Sequence, residues 1–262
     1  MVEAPKTLSL ERVGQTEWIT FQRTDQMNAI SMQMLHEMTQ AIENAMGDDS
    51  VRAIALTGTG RAFCAGADLK EVAGAKHGPG EPDLLDLVDH AFGLMRNGPK
   101  PVIAAVNGLA MAGGLEMVMA CDLVFAAESA KLGDAHSNFG VFPGAGGAAI
   151  LPRRIGLNRA KYLLFSGENV SAQEMMEWGL VNKVVPDADL RQSVQTFTDK
   201  LSDKSPAVLR RMKAVANRSM NVDEPAALAD EMLNLRAHMR SWDMREGLTA
   251  FAEKRKPNFR GY

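Results

Sequence analysis

The chain has 262 residues, of which 46% are hydrophobic and 23% charged, and a formal net charge of −3. That length provides an ample core in one large domain or a domain with an appendage. The composition is that of an ordinary globular protein, and with a charge so near neutrality nothing argues for a nucleic-acid footprint. Cys64 and Cys121 stand far apart with no CxxC spacing and no paired histidines. This points to two free thiols in a reducing compartment rather than to a disulfide scaffold or a zinc site. The opening residues show no basic segment followed by an apolar core, and no apolar run reaches spanning length. A cytoplasmic protein without a membrane partner is therefore expected.

In chain order, Thr7–Val13 and Glu17–Arg23 cluster apolar residues about Gly14, which predicts an opening pair of strands. Ser31 reads as the N-cap of a helix from Met32 to about Met46, with Met34, Leu35, Met38, Ala41, Ile42 and Ala45 on one face and Gly47 closing it. Val51–Thr57 predicts a short strand. Gly58–Asp68 (GTGRAFCAGAD) reads as a small-residue loop that matches neither the dinucleotide fingerprint nor the phosphate loop. A short helix starts at Leu69. A Gly/Pro-rich flap with His77 follows at Gly74–Pro82, then a helix over Asp83–Met95 with His90. Neither histidine has a metal-spaced partner.

The stretch from Lys100 to Gly147 organises the rest. Val102–Val106 suits a buried strand. A Gly/Ala-rich turn ends in Gly113-Gly114, and Leu115–Ala120 begins a helix with Glu116 in its first turn. Cys121–Ala127 predicts a second buried strand, leading to a segment with Asp134 and His136 and a glycine cluster at Pro143–Gly147. Glycines after a strand let backbone approach a ligand, and a helix beginning there directs unpaired N–H groups at an oxygen that gains charge. Alternatively, the glycines serve only helix–sheet packing and Glu116 only its helix dipole.

Ile150–Val185 alternates short helices and turns. Ser171 caps a helix through Trp178, Gly179 ends it, and Leu180–Val185 forms a short strand. Helices are expected near Ala188–Leu201, Ala207–Arg218, Pro225–Met239 and Trp242–Lys254. A strand-rich front with an all-helical tail suits an α/β layer fold. Apolar tail positions such as Leu228, Met232, Leu235, Trp242, Met244, Leu248 and Phe251 are covered either by a partner subunit or by folding back on the core.

Five blocks in order carry a resemblance: AFCAGADLKE, KPVIAAVNGLAMAGGLEMVMACDLVFA, FPGAGG, SAQEMMEWGLVNKVVP and AFAEKRKPNF. Together they resemble the enoyl-CoA hydratase/isomerase (crotonase) family over nearly the whole chain. The resemblance implies an α/β, crotonase-like spiral of repeated β-β-α units over residues 1–186, with the CoA site. Residues 187–262 would form a C-terminal helical region that builds a homotrimer, or a hexamer of two trimers. It implies acyl-coenzyme A thioesters as substrates, with coenzyme A part of the substrate and no separate cofactor or metal. The oxyanion hole would be the backbone N–H groups of Ala67 and Gly113. Ala65, Asp68 and Leu69 match positions at the adenine end of the CoA site, Gln26 and Met27 match the loop along the nucleotide, and Gly144 lies in the matching glycine block. Phe251 and Lys254 match C-terminal residues that reach CoA, often from a neighbouring subunit. Asp25 stands where the family's loop usually has a basic residue facing the phosphates, for which Arg23 is a substitute. For Lys254 the alternative is a solvated charge in the run Lys254–Lys256.

Family hydratases flank a water with two glutamates. Glu116 matches the first. The second, seven residues before the proline of the glycine block, is His136 here, where the usual pattern is closer to QPEILLGTIPG than to DAHSNFGVFPG. Water addition needs a base for water and an acid for the α-carbon, and an imidazole can exchange a proton near neutrality. Glu116 and His136 thus form an unlike pair, and Asp134 orients the ring if the segment is extended. Enoyl-CoA hydration leads. Its rivals are double-bond isomerisation with Glu116 alone, hydrolysis or decarboxylation of an unusual acyl-CoA, and acyl-CoA binding without turnover. Neither a GxSxG elbow nor HExxH is present. The acyl pocket is expected to involve the flap, the helix after it, Met111, Phe139 and Trp242.

Overall fold

The computed structural model describes residues 5–74 and 82–262, so His77 and most of the expected flap lie outside the described residues. The chain opens with the antiparallel pair β1 (Leu8–Val13) and β2 (Thr16–Phe21), turned at Gly14. Helix α1 (Met32–Gly47) follows, with the Ser31 side chain accepting from the Met34 N–H and the six expected apolar positions buried.

Among the described residues, three strand–strand–helix units come next. The first is β3 (Ala53–Gly58), β4 (Ala62–Cys64), α2 (Leu69–Gly74) and α3 (Leu84–Asn97). The second is β5 (Val102–Val106), β6 (Leu109–Met111) and α4 (Gly113–Ala120). The third is β7 (Leu123–Ala127), β8 (Lys131–Gly133), α5 (Leu151–Ile155) and α6 (Leu157–Ser166). After these come β9 (Asn169–Ser171), α7 (Ala172–Glu177), β10 (Lys183–Val185), and the helices α8 (Leu190–Ser202), α9 (Pro206–Ser219), α10 (Glu224–His238) and α11 (Trp242–Glu253). This is the α/β spiral of β-β-α units with a helical C-terminal region.

The first strand of each unit joins a six-stranded sheet of order β1-β2-β3-β5-β7-β10, parallel beyond the first pair. The second strands build a smaller sheet, β4-β6-β8-β9. Strand β5 is buried along its whole length, as expected of a central parallel strand covered on both faces. Strand β4 falls within the loop read over Gly58–Asp68, β6 within the Gly/Ala-rich turn that ends in Gly113-Gly114, and β8 in a stretch assigned no element. Three residues are too few for a periodic signal, and their extended geometry comes from pairing with one another.

Helix α8 lies across the six-stranded sheet. Gln195 accepts from the Trp18 indole at 2.8 Å and Thr16 donates to Thr198 at 2.7 Å, all buried. Helix α9 is tied to the sheet by Lys213, whose ammonium donates to Asp122 Oδ2 (2.7 Å) and to the carbonyls of Met95 and Lys100. Asp122 Oδ2 also accepts from the N–H of Val102, the first residue of β5. Among the described residues no helix is long and apolar enough to cross a membrane.

Removing Lys213 leaves the half-buried Asp122 carboxylate without its cation. Lys213→Met should lower the unfolding free energy by about 3 kcal/mol in chemical denaturation. A loss indistinguishable from zero would show that α9 is not anchored through this pair.

Candidate active site

The second sheet places two small-residue bends against one another. Residue Ile30 bridges Ala67 in parallel, its N–H donating to Gly66 O and its carbonyl accepting from Asp68 N–H, both at 2.8 Å. Because peptide groups alternate along extended chain, the Ala67 N–H points away from Ile30. On that side lies the start of α4: a Cβ placed on Gly113 would sit 3.6 Å from the Ala67 nitrogen. Among the described residues neither the Ala67 nor the Gly113 N–H has an acceptor. Gly113 opens α4, so its N–H is one of the donors a helix leaves free. The approach requires glycine at 114, where a Cβ would meet the Cys64 carbonyl oxygen at 2.0 Å. Ala112, just before the helix, has φ 49° and ψ −119°, a strained conformation for a residue with a Cβ.

Glu116, in the first turn of α4, is 3% exposed. Its Oε1 accepts from the N–H groups of Ala145 (2.8 Å) and Gly147 (2.9 Å), both in the glycine cluster. Its Oε2 faces His136 Nε2 at 3.8 Å. The other ring nitrogen, Nδ1, lies 2.9 Å from Asp134 Oδ1. Asp134 is fully buried, and among the described residues its Oδ2 has no hydrogen-bond partner. Gly147 is needed here as well: a Cβ would fall 2.5 Å from Asp134 Oδ2 and 2.7 Å from Pro143.

The segment carrying the dyad is not extended. Ala135 is left-handed (φ 57°) and His136 begins a 3-10 turn through Phe139. That turn, rather than strand alternation, folds the ring back onto Asp134. Burial opposes the charged imidazole, but the Asp134 hydrogen bond and the charges of Asp134 and Glu116 outweigh it and hold the His136 pKa above its ordinary 6.5.

The residues matched to the CoA site divide into two sets. The loops of Gln26–Met27 and Ala65–Leu69 adjoin, with Ala65 N–H donating to Met27 O at 3.1 Å. Arg23, expected to replace the missing basic residue, instead donates to Asp68 Oδ2 at 2.8 Å and to the Ala29 carbonyl. It holds the Asp68 carboxyl below the usual range and is not a free cation. Gly144 lies beside Leu85 of α3. Phe251 and Lys254 are exposed at the end of α11, and the tail beyond them packs at Arg52 and Pro206. Of the expected pocket residues, Phe139 is exposed, and Trp242 is stacked under Arg260 at 4.5 Å. Among the described residues no group of three or more His, Cys, Asp or Glu is arranged to hold a metal ion.

The model of one protein family, enoyl-CoA hydratase/isomerase, matches residues 14–262. The chain belongs to the enoyl-CoA hydratase/isomerase family. A short-chain-enoyl-CoA hydratase of Clostridium acetobutylicum is 34% identical over 256 residues, covering 94% of this chain and 95% of that protein. A crotonyl-CoA hydratase of Syntrophomonas wolfei is 35% identical over 257 residues and 98% of both. The crystal structure of an enoyl-CoA hydratase from Bacillus anthracis superposes with a TM-score of 0.92 at 36% identity, covering 98% of this chain and 100% of that one. The enoyl-CoA hydratase/isomerase family acts on acyl-CoA thioesters, and its crotonase fold is the one found here.

Sequence reasoning missed the two amides that clamp Glu116 and the cation Arg96 near it. Nothing local marks them, because the loop at 143–147 and helix α3 meet α4 only in the folded chain.

A raised folded pKa means that His136 contributes stability fully at pH below its unfolded value, and loses it as pH rises through the folded value. The stability deficit of His136→Gln relative to wild type should therefore be larger at pH 5.5 than at pH 9. An equal deficit at both, measured by denaturation, would contradict the Asp134–imidazolium pairing.

Proposed function

We propose that this family member hydrates 2-enoyl-CoA thioesters, with Glu116 as base and His136 as acid. The observation that carries the reading is the 3.8 Å separation of Glu116 Oε2 and His136 Nε2, short enough for a single water oxygen to be within hydrogen-bond distance of both. The thioester carbonyl would sit against the N–H groups of Ala67 and Gly113, each such donor contributing about 3 kcal/mol to transition-state stabilisation.

The water oxygen bonds to the β-carbon as Glu116 Oε2 takes its proton. The double-bond electrons move to the thioester oxygen, giving an enolate held by the two amides. The enolate then takes the His136 Nε2 proton at the α-carbon. Glu116 returns its proton to His136 across the gap. Asp134 keeps the ring in register and favours its protonated form, which suits a proton donor. The nucleotide portion of CoA would lie along Gln26, Met27, Ala65, Asp68 and Leu69, with Gly144 beside the acyl part. Exposed Leu228, Leu233, Leu248 and Phe251 support the association of the C-terminal helices of several copies, which would bring Phe251 and Lys254 to a neighbour's CoA.

Purified protein with crotonyl-CoA and longer 2-enoyl-CoA esters should lose enoyl-thioester absorbance. Glu116→Gln and His136→Ala should each lower kcat by about a hundredfold or more. Isomerisation of 3-enoyl esters without hydration would overturn the assignment. Because His136 acts as acid, activity falls as pH rises through its raised pKa. Asp134→Asn should accordingly move the alkaline limb of the kcat profile to lower pH, and an unmoved limb would remove Asp134 from the mechanism.

A further inference from the structure

The cluster of Asp134, His136 and Glu116 holds two carboxylates against one imidazole, so with the imidazole protonated it still carries one surplus negative charge. A second cation reaches this cluster from α3, through the glycine loop that grips Glu116. The Arg96 guanidinium is half-buried, and among the described residues no carboxylate lies within ion-pair distance of it. It is electrostatically coupled to Glu116 and to Asp89 of its own helix. Its Nη1 donates to the Ala145 carbonyl at 3.5 Å. Ala145 in turn donates its N–H to Glu116 Oε1. The carbonyl of Arg96 is itself held by the Asn217 side-chain amide of α9, so the guanidinium springs from a braced helix end.

We propose that Arg96 is a positioning residue for Glu116, resting on the reading of Glu116 as base: it braces the loop whose amides grip the carboxylate and offsets the surplus negative charge of the cluster. Two features separate this role from ordinary surface charge. A guanidinium loses hydration when half-buried, and the loss is not repaid here by a direct ion pair. And its hydrogen bond goes to the residue that also grips Glu116, so its position and that of the carboxylate are mechanically linked. His136, which faces Glu116, is itself bound to Asp134, and Arg96 feels Asp89 of its own helix as well as Glu116. Losing Arg96 therefore removes positive charge from the loop whose amides hold the base.

The test uses intact purified protein with Arg96→Gln and Arg96→Lys. In Arg96→Gln, kcat for a 2-enoyl-CoA should fall about tenfold with KM little changed. The acid limb of kcat/KM, where a carboxylate base takes up its proton, should move to higher pH by about one unit. Arg96→Lys should restore most of both. A purely structural role would lower kcat without moving the limb and without rescue by lysine, and that result overturns the proposal. A readout independent of turnover keeps the two readings separable. In protein carrying carboxyl-labelled glutamate, with Glu116→Gln to assign the signal, the Glu116 carbon-13 titration should move upward in Arg96→Gln, and the Ala145 and Gly147 amides should exchange faster. If wild type hydrates no enoyl ester but these signals move, the function assigned to the site fails and the role of Arg96 stands. If it hydrates and they do not move, the reverse holds.

Discussion

The contact on which the rest of the molecule depends is backbone against backbone: the first turn of α4 pressed onto the end of β4. A Cβ at position 114 would lie 2.0 Å from the Cys64 carbonyl oxygen, so the bends at 65–67 and 112–114 can meet only because that atom is missing. Once they meet, the Ala67 nitrogen lies 3.6 Å from where a Cβ on Gly113 would stand, and among the described residues neither N–H has an acceptor. The strain at Ala112 belongs to this arrangement. A residue with a Cβ at positive φ costs about 1–2 kcal/mol, and it persists where the surrounding fold over-determines it. Here β6 fixes one side of the residue and helix α4 the other.

Around that contact the electrostatics follow from burial. A carboxylate as enclosed as Glu116 must have its oxygens satisfied, and the loop at 143–147 does so for one oxygen by turning two N–H groups inward. The second oxygen is left facing an imidazole whose far side is held by Asp134. The result is a line of acid, imidazole and acid in a nearly dry setting, where each charge acts more strongly than it would in water. Asp134 gives its Oδ1 to the ring, while its buried Oδ2 has no hydrogen-bond partner among the described residues.

The spiral explains why such a centre can be assembled. Each turn delivers one long strand to the large sheet and one three-residue strand to the small sheet, then a helix. The small sheet stacks the loops from three successive turns, so residues near 67, 113 and 134, far apart in the chain, occupy neighbouring levels. The C-terminal helices brace the large sheet: α8 through Gln195 and Thr198, α9 through Lys213. The Arg23–Asp68 pair shows the cost of reading single positions. A basic residue at 23 looked available for an external phosphate, but the fold had an internal carboxylate for it.

Much of this was legible without coordinates. The periodicity of α1, the Ser31 and Ser171 caps, the unbroken apolar run of β5 and the ordered glycine blocks are local properties, set by side-chain size, branching and hydrogen-bonding within a few residues. They, with the ordered family blocks, determined the spiral, the helical tail and the candidate residues Glu116, His136, Ala67 and Gly113. Only the tertiary structure decided how those residues stand. The three-residue strands exist because neighbours pair with them. The 134–136 segment turns because Ala135 is left-handed. The grip of Ala145 and Gly147 on Glu116, and the approach of Arg96 to that loop, join elements roughly 30 to 50 residues apart. Such contacts leave no periodic trace in the chain, since a hydrogen bond to a distant amide constrains geometry rather than residue type.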